Sequence, residues 1–334
     1  TIIERLGSRH VFLALALSTM LLTAVGVFID VAVITVAPIA IIIADRMGIS
    51  KMKLLLAMVG GGKCGNIMSP NPNTIIAAEN FGAPLSSVML VNVLPAIVGL
   101  FIVVYVILPL LPSSKNSAKV GDSSLSGVAK ADLPSFWASV SAPVVVIALL
   151  MLRPVAGIAI DPLIALPVGG VVGILATRRW KSTAESVSYG LEKMSVVAVL
   201  LVSTGAIAGI IKASTLTDYL ISWLGQGESA QMLLAPLSGA LMSAATASTT
   251  AGATIASASF SQAILGAGVS AVWGAALVNV GATVLDHLPH GSFFHATGGS
   301  VEMGIKERLR MIPYESAVGA VLTLGSLVTY LIVG

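Results

Sequence analysis

Charge is what this chain lacks most. Asp, Glu, Lys and Arg make up only 10% of its 334 residues, against about 25% in a soluble domain. Hydrophobic residues account for 56%, and mean hydropathy is +0.98. A polytopic, all-α membrane protein follows, with the lipid bilayer as its first partner. Neither sign dominates: the balance is +3, and no basic stripe with interleaved aromatics offers itself to nucleic acid. The single cysteine, Cys64, excludes an internal disulfide and a cysteine-based zinc site. A conventional start is also missing. The chain opens on Thr1 without a signal peptide and cleavage site, so a processed or truncated product lacking an N-terminal part is expected.

What is present is organised around Gly60-Gly-Gly-Lys-Cys-Gly-Asn-Ile-Met-Ser-Pro-Asn-Pro-Asn-Thr74. It lies inside a run apolar enough to cross a bilayer, yet carries glycines, prolines, asparagines and a lysine. Gly and Pro are expected to interrupt the i→i−4 ladder here and free backbone groups. In hydrocarbon those groups need protein, water or a solute as partner. A helix broken at mid-depth is how secondary transporters build a substrate and ion site. The plainer reading is an aqueous loop between two shorter helices.

Apolar runs and breaks place the remaining elements. A first repeat, 1–111, holds a hairpin (10–45), the broken helix (52–81) and a span (86–111) with Pro95 inside. Residues 112–135 turn polar and read as a linker. Residues 136–213 hold scaffold-type spans, with 178–193 set apart as an interfacial helix before a span at 196–211. Residues 214–334 repeat the first pattern: a hairpin (229–265), a broken helix (269–292) and a final span (316–333). Each hairpin is too long for one span and short for two, which favours re-entrant pairs of half-length helices.

The two halves are related. Leu6-Gly7 recurs as Leu224-Gly225 and Gly48-Ile-Ser50 as Gly268-Val-Ser270, while Gly60 and Asn66 fall opposite Val280 and Asp286, an offset near 220 residues. Five crossings separate the hairpins, so the second copy is inverted, as in carriers whose site lies between paired broken helices. All 18 Lys and Arg except Lys63, Arg153 and Lys212 then fall on one side, which marks it as cytoplasm. The linker 112–135 is cytoplasmic on this topology and the C-terminus is outside. Arg308 and Arg310 are taken as interfacial, topological charges.

Asp30 lies near the first hairpin tip in an apolar run, where an ionisable group is costly and faces a cavity or partner; it reads as an ion or proton site, or as a hydrated tip residue. Asn66, Ser69, Asn71, Asn73 and Thr74 offer amides and hydroxyls to a hydroxy-acid ligand, and they also suit plain helix capping. Lys63 could neutralise an anion or snorkel to an interface. Thr246, Ser248, Thr249 and Thr250 put hydroxyls at the second tip, for ligand or for close packing. Asp286 and His287 suit proton handling. With His290 and His295 they also raise a zinc reading, although no ordered helix fixes the spacing.

Leu6-Gly7, the Phe28-Ile-Asp30-Val-Ala-Val-Ile-x-x-x-Pro38 run, the Ser69-Pro-Asn-Pro72 break, the hydroxyl-rich second tip and Asp286-His-Leu-Pro-His-Gly-Ser-Phe-Phe-His295 together resemble the gluconate permease (GntP) family, part of a wider superfamily of ion-coupled carriers. The resemblance covers essentially the whole chain. It implies an importer of gluconate or a related small organic anion by proton symport, in the bacterial inner membrane, working as a homodimer through an elevator motion of hairpins and broken helices. Family members usually begin further upstream. The gluconate branch has a His followed by Pro-Pro-His-Pro where this chain has Asn66 and Ser69-Pro-Asn-Pro72, which removes a titratable group. Sodium-coupled uptake of a different small carboxylate or amino acid therefore stands beside proton-coupled gluconate uptake, and an intramembrane metalloenzyme or a channel are readings of another class. No cofactor beyond the coupling cation, proton or sodium, is expected.

Overall fold

The computed structural model describes residues 2–112, 134–224 and 232–334. Among them every regular element is a helix and no strand occurs, as expected where backbone polar groups must be satisfied within one segment. The chain divides into two units, Thr1–Gly121 with Thr204–Gly334, and Asp122–Ser203. Most of the linker 112–135, the start of the second hairpin and Gly225 lie outside the described residues.

In the larger unit the first hairpin is Ile2–Ala24 and Ile29–Met47, turning through Gly26 at φ +100°. The arms are longer than the half-length helices expected, because the polar stretch before Val11 is helical as well. The second arm stops at Gly48, whose φ of 62° lets its amide bond back into the last turn.

Lys51–Asn66 follows as one unbroken helix. This corrects the expectation that Gly60–Gly62 would open the ladder. The glycines serve packing instead. A Cβ on Gly61 would overlap the Ala16 carbonyl, and one on Gly65 would overlap the Met20 carbonyl and the Thr23 hydroxyl. Gly61 and Gly65 lie one above the other on a helix face, so they form a groove for the first arm of the hairpin. The break is only Ile67–Asn71, after which Pro72–Phe81 resumes with Pro72 in its first turn and Asn71 as N-cap.

The next span, Leu85–Leu110, is 26 residues long. It is interrupted at Asn92, three residues before Pro95 withdraws its N–H from the ladder.

The same order of elements returns in the second half. The hairpin arms Leu234–Thr246 and Thr249–Gly266 meet at Ala247 and Ser248. Helix Ala271–Gly281 ends at a second break, and Ser292–Ser300 follows it. Glycine again brings backbones together: a Cβ on Gly281 would overlap the Pro236 carbonyl, and one on Gly239 the Val278 carbonyl. The chain closes with Ile305–Leu309 and Ile312–Val333, together long and apolar enough to cross a membrane.

The smaller unit contains Phe136–Ala156 and Pro162–Thr177, joined by a short loop in which Asp161 caps the second helix at 2.7 Å from the Leu163 amide. Gly169 seats them together, since a Cβ there would meet Val146 and the Ala142 carbonyl. The separation expected between an interfacial helix at 178–193 and a span at 196–211 is not found. After a single turn at Trp180–Ser182, Thr183–Ala213 runs as one helix of 31 residues, because no proline stands in it and Gly190 alone does not end a helix. Its last turns, from Thr204, belong to the larger unit, where the Ala208 carbonyl accepts from Ser259 at 3.3 Å.

Candidate functional site

Two polar centres sit in the larger unit, one at each break. At the first, the helix ending in Asn66 leaves its last carbonyls without intrahelical donors. Ser69 Oγ and Asn71 Nδ2 both donate to the Asn66 carbonyl at 2.9 Å. Asn71 Nδ2 also donates to Asn66 Oδ1 and, at 2.6 Å, to Ser69 Oγ. Asn71 Oδ1 accepts from the Thr74 amide and hydroxyl at 3.1 and 3.0 Å.

From there the network crosses to the second half. Asn279 Nδ2 donates to Thr74 Oγ1 at 3.2 Å, and Asn73 Nδ2 donates to Asn279 Oδ1 at 2.7 Å. Asn66, Ser69, Asn71, Asn73, Thr74 and Asn279 are all buried. The break is steadied from behind by Asn92, which donates to the Ile67 carbonyl at 3.1 Å and accepts from Ser326 at 3.0 Å. One donor stays unused: Asn66 Nδ2 is buried without a hydrogen-bond partner, a costly state for an amide away from water.

The second centre is charged. Lys63, fully buried three residues before Asn66, donates to Asp286 Oδ1 at 2.7 Å and to the Thr283 carbonyl at 2.6 Å. Snorkelling is thereby overturned: the ammonium is turned inward and already paired. Asp286 Oδ2 accepts from Thr249 Oγ1 at 2.6 Å, which ties the second hairpin tip to the break.

His287 Nε2 lies 3.0 Å from the Ile312 carbonyl, and Nδ1 lies 3.1 Å from both Lys63 Nζ and Asp286 Oδ1. A carbonyl only accepts, so Nε2 carries the proton. Nδ1 is then left to accept from the Lys63 ammonium.

Beside this centre a second buried pair joins Arg308 of Ile305–Leu309 to Glu315 of the final span. Arg308 also donates to the Phe294 carbonyl at 3.1 Å and lies 4.8 Å from the centre of the Phe294 ring. Arg308 is therefore not the interfacial charge expected of it.

The remaining expected residues are placed differently. Asp30, half-buried in the first turn of Ile29–Met47, accepts from the Val31 amide at 2.9 Å and belongs to neither network. Thr246 Oγ1 donates back to the Met242 carbonyl at 2.8 Å, and Ser248 Oγ caps its helix through the Ala251 amide at 3.3 Å. Thr250 is buried, and its carbonyl accepts from Thr254 at 2.7 Å. Of the four tip hydroxyls, only Thr249 reaches a break. The histidines do not converge: His287 is buried, His290 is exposed, and His295 Nε2 turns to the Pro289 carbonyl at 2.8 Å. Among the described residues no three His, Cys, Asp or Glu side chains are grouped to hold a metal.

Sequence reasoning missed Asn279, Thr283 and Glu315 as partners. A signal for one of them was available, because Lys63 and Thr283 are separated by 220 positions, the offset at which the sequence motifs recur.

The chain matches the GntP family permease description over residues 1–333. It is 52% identical over 326 residues, 98% of this chain and 77% of the relative, to a protein of Haemophilus influenzae named as an uncharacterized transporter. No solved structure matches it. Taken with the broken, polar-lined helices, these matches place the chain in the GntP permease family, as an integral membrane transporter.

Proposed function

We propose that this transporter imports a small organic anion, a gluconate-like sugar acid or another hydroxy acid, by symport with protons across the bacterial inner membrane. The observation that carries the reading is Asn66 Nδ2, a buried donor left without a partner in a network of amides and hydroxyls. A ligand carrying hydroxyl or carboxylate oxygens would complete it. The ligand would also meet the N-terminal end of Pro72–Phe81, whose dipole favours negative charge.

Asn66, Ser69, Asn71, Asn73 and Thr74 would hold the substrate, with Thr246, Ser248, Thr249 and Thr250 closing over it from the second hairpin. Asp30, Asp286 and His287 would handle the coupling charge. The hairpins would re-enter the membrane as inverted counterparts, and the body that carries them would move as an elevator in a homodimer. The linker 112–135 would lie in the cytoplasm and the C-terminus outside. A sodium-coupled carrier of another small carboxylate or amino acid is the second reading, favoured by the amides that stand at the first break.

Thermal stability of the purified protein across sugar acids, hydroxy acids and amino acids, each with sodium and with potassium at two pH values, tests both readings. A ligand that binds the native state raises the midpoint by mass action. A sodium-independent shift with a hydroxy acid, stronger at low pH, supports proton symport; a shift that needs sodium supports the second reading.

A further inference from the structure

Carriers with discontinuous helices hold their coupling cation on unwound carbonyls at the C-terminal end of a half-helix, helped by side-chain oxygens. The second break supplies such a set. The carbonyl of Thr283 lies just past helix Ala271–Gly281, Asp286 adds a carboxylate oxygen, and the Glu315 carbonyl approaches from the final span. At the centre of that set stands the ammonium of Lys63, 2.6 Å from the Thr283 carbonyl, 2.7 Å from Asp286 Oδ1 and 3.5 Å from the Glu315 carbonyl. His287 Nδ1 completes the shell at 3.1 Å. Lys63 and Asp286 are both buried, so the carboxylate needs one positive charge beside it and has one.

We propose that Lys63 is a tethered cation: its ammonium occupies a site built for a monovalent ion, so the second break neither needs nor admits free sodium. The site is latent, and it opens when the lysine side chain is shortened. Three features point this way. The acceptors come from two separate elements, the second break and the final span, and converge on one point as in an ion cage. The charge is balanced one to one. The lysine reaches the cage from the last turn of a different broken helix, so tether and cage belong to opposite halves of the fold. This inference deepens the transport reading and rests on it only for the consequence that the coupling charge is a proton; the cage itself is testable without substrate or gradient.

The experiment uses the full purified chain, with Lys63→Ala, Lys63→Ser and the double variant Lys63→Ala/Asp286→Asn. Thermal midpoints are read in choline chloride, sodium chloride and potassium chloride at one ionic strength, without organic anion. The unaltered protein is expected to show equal midpoints in sodium and choline. Both single variants are expected to be destabilised in choline and to regain about 5 °C or more as sodium saturates the cage. The double variant, lacking the anionic ligand, is expected to lose that response. Single variants whose midpoints are the same in sodium, potassium and choline would overturn the proposal. So would single variants that fail to fold in all three salts, because a cage suited to a free cation would be refilled. A sodium shift in the unaltered protein that Asp286→Asn removes would overturn it too. Absence of anion uptake by the unaltered protein, with an intact sodium response in the single variants, would instead count against the transport reading and leave the tether standing.

Discussion

Lys63 and Thr283 stand 220 positions apart and touch, the ammonium of one donating to the carbonyl of the other at 2.6 Å. That separation also relates Gly60 to Val280 and Asn66 to Asp286. Lys63 lies in the last turn of Lys51–Asn66 and Thr283 just past Ala271–Gly281, so the contact joins the two breaks. It also explains why a lysine is tolerated in the interior: its partners come from the opposite half, where the chain has unwound.

The charge pair at this point is predicted to be strongly coupled. Asp286→Asn alone leaves a buried ammonium without its counter-charge and should cost about 3–5 kcal/mol. Adding Lys63→Met to it should recover part of that loss. Chemical or thermal unfolding of the two single variants and the double variant measures the coupling; strictly additive losses would mean the pair contributes nothing as a pair.

Glycine packing gives a prediction independent of transport. Gly61→Ala places a methyl group on the Ala16 carbonyl, a backbone atom that cannot rotate away. The hairpin must shift, at a cost of about 1–3 kcal/mol or more. Gly170→Ala meets nothing within 4 Å and should leave the midpoint unchanged or slightly raised. Equal midpoints for the two variants would show that the hairpin is not seated in the Gly61/Gly65 groove.

Asn66→Asp keeps both acceptor positions, removes the unpartnered donor and adds negative charge where an anion is expected. Anion-dependent stabilisation should fall at least tenfold in apparent affinity, equal to about 1.4 kcal/mol, and the loss should exceed any change in the ligand-free midpoint. Undiminished anion binding by this variant would remove the first break from the substrate site.

Asp30 is predicted to matter to coupling and little to folding. Its carboxylate spans only to the neighbouring Val31 amide, so Asp30→Asn should leave the midpoint within about 1 °C, on the scale of a surface substitution. Uptake driven by an imposed pH gradient should be abolished. Unchanged uptake would take Asp30 out of the mechanism.

Much of this was legible in the sequence, and for identifiable reasons. Pro70 and Pro72 lack amide donors, so a break at 67–71 follows from covalent chemistry. Asn71 three residues before Thr74 is an N-cap pattern, and the structure uses it as one. The glycines were harder to read. Gly60–Gly62 can either open a helix or let another backbone approach, and composition does not separate the two; the Ala16 carbonyl decides for approach. Lys63 carried a charge whose partner, Asp286, lies in the other half of the chain, beyond the reach of local patterning. Arg308 looked interfacial among Lys306 and Arg310, but Glu315 and Phe294 draw it inside. Asn279 sits in an apolar helix with no local sign of function; only the fold brings it to Asn73 and Thr74.

The most direct test of anion import coupled to protons is uptake into proteoliposomes that hold the purified protein in sodium-free buffer. Labelled gluconate and a panel of small hydroxy acids would be offered outside, with and without an imposed inward proton gradient. Saturable accumulation of at least one of these anions that appears with the gradient and collapses on adding a protonophore is the predicted result. Accumulation that ignores the proton gradient and requires sodium, or the absence of accumulation across the panel from protein that still binds those anions, would contradict it.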